Sequence, residues 1–333
     1  MLNLPKVELH LHLDGSLRVE TVLELARERR VKLPTEDPQK LAEYLQVPYD
    51  CPTLVEYLKR FELPVTILQD EESLERVGWE LVEDLKRENV CYGEIRYAPY
   101  LHLEKGMKPQ KVVEAVLKGV NRAAEKLEVE VGVILCCMRH HAPEINKNVV
   151  RLAGDYLGGG VVAVDLAGDE ANFPPGLQRE VFTFARDAQI SYTIHAGEAI
   201  CPEPEDFLPL LKEFQVKRIG HGVQFRKEPR IMQYVKEQGI LLETCPTSNV
   251  QTKAVNSLVD HPIRQYLEQG IKVTINTDNR TVSNTSLTRE YELVAEQLGF
   301  TEAEFKQMNL YAIDGAFTSA KVKGKVRDII AKS

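Results

Sequence analysis

Apolar, β-branched runs recur along the whole chain, and each is followed by a segment with a longer hydrophobic period. The runs "VELHLHL" (7–13), "YGEIRYAP" (92–99), "VGVILCCM" (131–138) and "VVAVDLAG" (161–168) read as strands, as do "SYTIHAG" (191–197), "KRIGHG" (217–222), "ILLETCP" (240–246) and "IKVTINTD" (271–278). Between them, Leu74, Val77, Leu81 and Leu85 form an apolar stripe at helical spacing, and Val113, Leu117, Val120 and Ala124 form another. The first helix carries the stripe Val19, Leu23 and Ala26, with Ser16 or the Asp14-Gly15 pair as its start signal. Eight strands alternating with helices over 333 residues predict an α/β protein, a (β/α)8 TIM barrel forming one domain over residues 1–333. The rival, a doubly wound open sheet, usually carries a glycine-rich phosphate turn after its first strand, and this chain has none there. The connection after the first strand is long. Residues 31–70 hold extra helical pieces, including "TLVEYLKRF", expected to form a wall or lid over the site.

Composition narrows the picture without changing it. Hydrophobic residues make up 43% and charged residues 28%, an ordinary balance for a globular protein. The net charge of −8 is spread along the chain with no basic stripe, which argues against nucleic acid as a partner. No apolar run approaches the roughly 18–20 residues of a membrane span, and "MLNLPKVEL" lacks the basic start and apolar core of a signal peptide. Cysteines at 51, 91, 136, 137, 201 and 245 form no C-x-x-C, so reduced thiols and a cytoplasmic location are expected. Nothing implies an obligate protein partner.

The polar residues that interrupt the apolar runs carry the chemistry. His10 and His12 sit two apart on one strand, where side chains alternate faces, so both rings point the same way. Strand five ends in "HAGE" with His195 and Glu198, strand six in "GHG" with His221, and strand eight in "NTDN" with Asp278 and Asn279. In a barrel, catalytic groups gather at the C-terminal ends of the strands. Three histidines and an aspartate there can bind one divalent metal and leave a position for water, and zinc favours that donor set. Bound water then loses its proton near neutral pH. Glu198 could donate a proton to substrate, and His221 could orient the attacking hydroxide or take its proton. A binuclear site would need a bridging ligand at the end of strand four, where the chain has Ala167 and Gly168. His140 and His141, after strand three, are expected to hydrogen-bond, and His102 and His261 to be structural or exposed. Glu243 and Ser248 are expected to be scaffold.

The stretches "ELHLHLDGS", "CCMRH", "DLAGDE", "TIHAGE", "IGHG", "CPTSN" and "NTDN" resemble, in order and spacing, the adenosine deaminases of the amidohydrolase superfamily, from about residue 5 to about residue 315. The resemblance implies one zinc ion per chain, held by His10, His12, His195 and Asp278. It implies that Glu198 protonates N1 of the purine and that His221 positions the attacking hydroxide and assists its deprotonation. The backbone N–H of Gly168 would meet N3, and Asp14 would accept the ribose 5′-hydroxyl. Leu58, Phe61 and Met138 match apolar wall positions. The family often has Asp-Asp where this chain has Asp278-Asn279; an Asn amide can donate an N–H to N7 without the extra proton an Asp would need. Glu198 must be protonated near pH 7, so partial burial should raise its pKa. The implied reaction is hydrolytic deamination of adenosine and 2′-deoxyadenosine to inosine and 2′-deoxyinosine with release of ammonia, a step of purine salvage. The rival substrates are other 6-aminopurines: free adenine, a 5′-modified nucleoside such as aminodeoxyfutalosine, or N6-methyl-AMP. A carboxylate at Asp14 favours a free hydroxyl and repels a phosphate. A catalytically silent binding protein on the same scaffold is a different class, and the complete ligand set argues against it.

Overall fold

The computed structural model describes residues 1–48, 51–199 and 207–333. Eight strands appear where the apolar runs predict them: β1 Lys6–His12, β2 Val90–Tyr97, β3 Glu130–Met138, β4 Val161–Ala167, β5 Ile194–Ala196, β6 Arg218–His221, β7 Leu241–Thr244 and β8 Val273–Ile275. All pairings are parallel, in the orders β1-β2-β3-β4 and β5-β6-β7-β8. Two seams join these halves. Val164 bridges Tyr192, and Leu11 bridges Asp278, so the sheet closes into the expected barrel.

The first strand is followed by α1 Val19–Arg29, α2 Pro38–Leu45, α3 Leu54–Leu58 and α4 Glu62–Ile67 before the long α5 Glu71–Arg87. The inserted helices are those read from residues 31–70. The predicted stripes face the core. Leu74, Val77, Leu81 and Leu85 are buried on α5, and Val113, Leu117 and Val120 are buried on α6 Pro109–Leu127, where Ala123 rather than Ala124 completes the face. Ser16 does not start α1. The cap position is Arg18, without a side-chain cap, and the Ser16 hydroxyl instead accepts from the Arg280 backbone N–H. It is drawn into the loop after β8, which a local reading cannot anticipate.

The interior of the barrel is not the apolar stack usual for the fold. Glu8, Glu94, Arg96, Asp165, Arg218 and Glu243 all project inward and are fully buried. Arg96 pairs with Asp165 and Glu243 at 2.8 Å each, and Arg218 pairs with Glu243 at 2.7 Å and Glu94 at 2.5 Å. Buried charges survive only when paired and hydrogen-bonded in this way. This lattice lies directly beneath the histidines. No helix among the described residues is long and apolar enough to cross a membrane. Cys51, Cys91, Cys136, Cys137 and Cys245 are unpaired among the described residues; Cys201 lies outside them.

Candidate active site

The seam that closes the barrel also assembles the site. The His12 N–H donates to the Asp278 carbonyl at 2.8 Å, and the Asp278 N–H donates to the His10 carbonyl at 2.9 Å. This ladder sets the Asp278 carboxylate against the two imidazoles of β1: its Oδ1 lies 3.5 Å from His10 Nε2 and 3.4 Å from His12 Nε2. Asp278 Oδ2 accepts from the Ser248 hydroxyl at 2.6 Å, which fixes the carboxylate. Asp278 and His221 both have left-handed backbone, with φ of 60° and 65°. Such residues cost about 1–3 kcal/mol each and persist where the surroundings hold them.

His195, on β5, reaches the same point. Its Nε2 is 3.3 Å from that of His12. Its Nδ1 is 3.0 Å from Asp165 Oδ2, and His10 Nδ1 is 2.9 Å from Glu243 Oε2. In both rings the Nδ1–H donates outward to a carboxylate, which leaves the Nε2 lone pair facing the cluster. That is the arrangement in which a carboxylate orients a metal-ligating histidine. His10 Nε2 is buried and has no hydrogen-bond partner among the described residues. Two imidazole lone pairs brought this close repel unless a cation or a proton lies between them. The donors therefore fit a divalent metal in number, type and direction. One ligand atom each from His10, His195, His221 and Asp278 all fall within 4.8 Å of one another, and His12, beside His195 and Asp278, is a fifth candidate donor.

Burial lowers the pKa of His12, His195 and His221. Burial pushes Asp278 upward, but the surrounding His10, His12 and His221 rings outweigh it and hold the carboxylate below its usual range. Glu198 behaves oppositely. Burial, then the charges of Asp278 and Glu170, raise it well above an ordinary carboxylate, with Arg139 opposing. It is 4% exposed, and its Oε2 lies 3.6 Å from His221 Nε2. Its position is set by Glu170, which accepts from the backbone N–H groups of Gly197, Glu198 and Ala199 at 2.8–2.9 Å.

These groups open into a cavity of about 510 Å³, the size of a small-ligand pocket. Asp14, Gly168, Leu58, Phe61, Met138 and Asn279 line it. Asp14 Oδ1 is buried without a partner among the described residues, and burial pushes its pKa up to about 7. Leu58, Phe61 and Met138 are half-buried, as wall residues facing a cavity should be. Asn279 donates from Nδ2 to the Tyr57 hydroxyl at 2.9 Å, so one of its two N–H groups is taken inside the protein. A larger hollow, about 910 Å³, lies at the opposite end of the barrel and touches none of these residues.

Sequence reasoning missed several residues of the site. Tyr57, on the inserted α3, reaches both Asn279 and Ser283. Asp165 and Arg96 support the cluster, and Glu170 and Arg139 support Glu198. A signal for the strand residues was present, since charges inside otherwise apolar runs must point into the barrel. His102 and His261 are both buried and bonded, and Glu243 and Ser248 are scaffold for the cluster. His140 is exposed and stacks edge-on against His141 and Phe173.

An eight-stranded parallel barrel with imidazoles and a carboxylate converging at its C-terminal mouth defines the amidohydrolase class. Within that class the chain belongs to the adenosine deaminase family, whose sequence profile matches residues 5–333. It is 44% identical over 328 residues to an adenosine deaminase of Clostridium perfringens, covering 98% of each chain. Its fold superposes on an adenine deaminase of Arthrobacter aurescens with a TM-score of 0.90, at 25% identity and 98% coverage of both chains. An amidohydrolase of Burkholderia ambifaria solved with bound zinc matches with a TM-score of 0.87, at 25% identity, covering 99% of this chain and 90% of that one.

Proposed function

We propose that this protein is a zinc-dependent hydrolase that removes the 6-amino group of adenosine and 2′-deoxyadenosine, giving the inosine products and ammonia. The observation that carries the reading is a single cavity that holds a metal-type His/Asp cluster, a carboxylic acid of raised pKa and an unpartnered carboxylate. His10, His12, His195 and Asp278 would hold one zinc ion per chain, which supplies the Lewis acidity that makes water a nucleophile near neutral pH.

The protein's own groups do the rest. The neutral carboxyl of Glu198 delivers its proton to N1 of the purine, which draws electron density from C6 and opens it to attack. His221 faces the attacking oxygen and orients it. The apolar walls Leu58, Phe61 and Met138 enclose the base and exclude water, and the Gly168 backbone N–H meets N3. Asn279 retains one amide N–H for N7, because Tyr57 takes the other. Asp14, whose Oδ1 is buried without a partner among the described residues, accepts the 5′-hydroxyl of the ribose. In its ionised form Asp14 disfavours a 5′-phosphate by like-charge repulsion.

A panel of adenosine, 2′-deoxyadenosine, 5′-deoxyadenosine, adenine and N6-methyl-AMP, followed by the ultraviolet change on deamination, tests the reading. Adenosine and 2′-deoxyadenosine should be the best substrates, with about one zinc atom per chain in active protein. Loss of the 5′-hydroxyl should cost roughly 1.5–3 kcal/mol in kcat/KM, the scale of a hydrogen bond to a charged group. Preference for adenine or for the phosphate, or full activity in metal-free protein, would overturn the assignment.

A further inference from the structure

Beneath His221 runs a chain of hydrogen bonds whose direction is set from outside the site. The Ile263 backbone N–H donates to His261 Nδ1 at 3.2 Å. A backbone N–H can only donate, so this ring nitrogen is an acceptor and the ring proton sits on Nε2. His261 Nε2 lies 3.1 Å from Asn249 Oδ1 and therefore donates to it. The Cys245 backbone N–H donates to the same oxygen at 3.3 Å. Two donors with independent backbone anchors thus orient the Asn249 amide. Its Nδ2 must face the other way, and it lies 2.9 Å from His221 Nδ1. All members are buried. Burial also pushes His261 down to about 3, so it enters the chain as a neutral ring.

From this geometry, and resting on the proposed deaminase reading, we infer that Asn249 and His261 are positioning residues that lock His221 in the tautomer with its proton on Nε2. An amide N–H aimed at Nδ1 requires a lone pair there. The lock excludes the Nδ1–H tautomer, and it equally excludes the doubly protonated ring, because either would set two donors against each other.

Two consequences follow. Among the described residues His221 Nε2 is buried without a hydrogen-bond partner, and it points at the cluster and at Glu198. Carrying the proton, it has no lone pair to give a metal. Of the five groups that converge, His221 is therefore the one left out, and His10, His12, His195 and Asp278 remain as the ligand set. Moreover, a ring held as an Nε2–H donor orients the attacking oxygen by a hydrogen bond and is not the group that takes its proton. This differs from the role that the family resemblance implies for His221. The lock works as the carboxylate of a serine-protease triad does, by selecting a tautomer, but it selects the opposite one with an amide donor.

The test uses metal-loaded enzyme labelled with 15N in its histidines, the His221 signals being assigned by their loss in His221→Gln. In the wild type, Nδ1 of His221 should show the shift of an unprotonated acceptor and Nε2 that of a protonated nitrogen. Asn249→Asp preserves shape but turns the donor into an acceptor, so the Nδ1 signal should move to the protonated position. Turnover should fall roughly 10²-fold or more in kcat, the scale of a misplaced catalytic proton, with KM within about threefold. A protonated Nδ1 in wild-type His221 overturns the inference even if Asn249→Asp fails to fold. So does an Asn249→Asp enzyme with altered tautomer and unchanged kcat. A wild type with the expected tautomer but no deaminase activity would sink the functional reading and leave the lock standing.

Discussion

Glu198 shows how one residue type takes opposite states in one site. Asp278 sits among imidazole rings and stays ionised, whereas Glu198, in the same cavity, sees burial and two further carboxylates and holds its proton. Environments that push two carboxyl groups apart assign their roles. Glu198→Gln should keep the fold of the loop, because Glu170 grips the backbone rather than the side chain. It should retain wild-type metal content and lose roughly 10²–10⁴-fold in kcat, the contribution of a general acid. Turnover within about threefold of the wild type would remove Glu198 from the chemistry. Most of these residues were legible in the sequence, because strand-end histidines in "HLH", "HAGE" and "GHG" interrupt otherwise apolar runs. Tyr57 was not, because an aromatic residue on an inserted helix reads equally well as core.

At the scale of elements, close approach is bought with glycine. Gly220 on β6 lets the His10 ring lie across it, since a Cβ there would come within 2.9 Å of His10 Cε1. Helices α5 and α6 meet in the same way. A Cβ on Gly119 would stand 2.0 Å from the Glu75 carbonyl oxygen and 3.0 Å from the Trp79 nitrogen, both backbone atoms of α5. Gly119→Ala must therefore force the helices apart and should cost about 1–3 kcal/mol, as overpacking does. Gly324, exposed in the helix Ala320–Lys332 with nothing within 4 Å, is the matched control. There the same substitution should stabilise by about 0.5–1 kcal/mol through helix propensity and unfolded-state entropy. Urea unfolding of both variants separates the effects, and equal shifts would show that the helix crossing is not tight. The helical stripes were readable from period alone; the tightness of the crossing was not, because Gly119 carries no pattern that tells a packing glycine from a tolerated one.

At the scale of the whole molecule, stability should carry a pH dependence from buried carboxyls outside the site. Glu290 is fully buried, accepts from the Thr247 N–H at 3.0 Å and the Thr285 hydroxyl at 2.6 Å, and is pushed up by burial to about 7. Its folded pKa exceeds the unfolded value, so the folded state binds the extra proton. This contribution is fully present below the unfolded pKa of about 4.5 and is lost as pH rises towards 7 and beyond, with a slope of at most ~1.4 kcal/mol per pH unit. Glu290→Gln keeps both contacts, since the Thr285 hydroxyl can turn to accept from the amide, and it removes the titration. Unfolding free energies at pH 5 and pH 8 should therefore differ less in the variant than in the wild type. The same difference in both would assign the slope to other groups.

The sequence by itself determined the periods and the punctuation. Eight apolar runs with helical segments between them admit few folds, and polar residues at the ends of those runs are costly unless they are used. Hence the barrel, the proposed ligands His10, His12, His195 and Asp278, and the cavity residues Asp14 and Asn279 could all be named from local pattern and family resemblance. Only the tertiary structure decided what lies between distant segments. The seam between Leu11 and Asp278 sets a carboxylate from the end of the chain against histidines from its beginning. The buried lattice of Arg96, Asp165 and Glu243 turns His10 and His195, and the run from Ile263 through His261 and Asn249 orients His221. The orientation of a ring or an amide depends on which donors surround it in space, and that order is absent from the one-dimensional pattern.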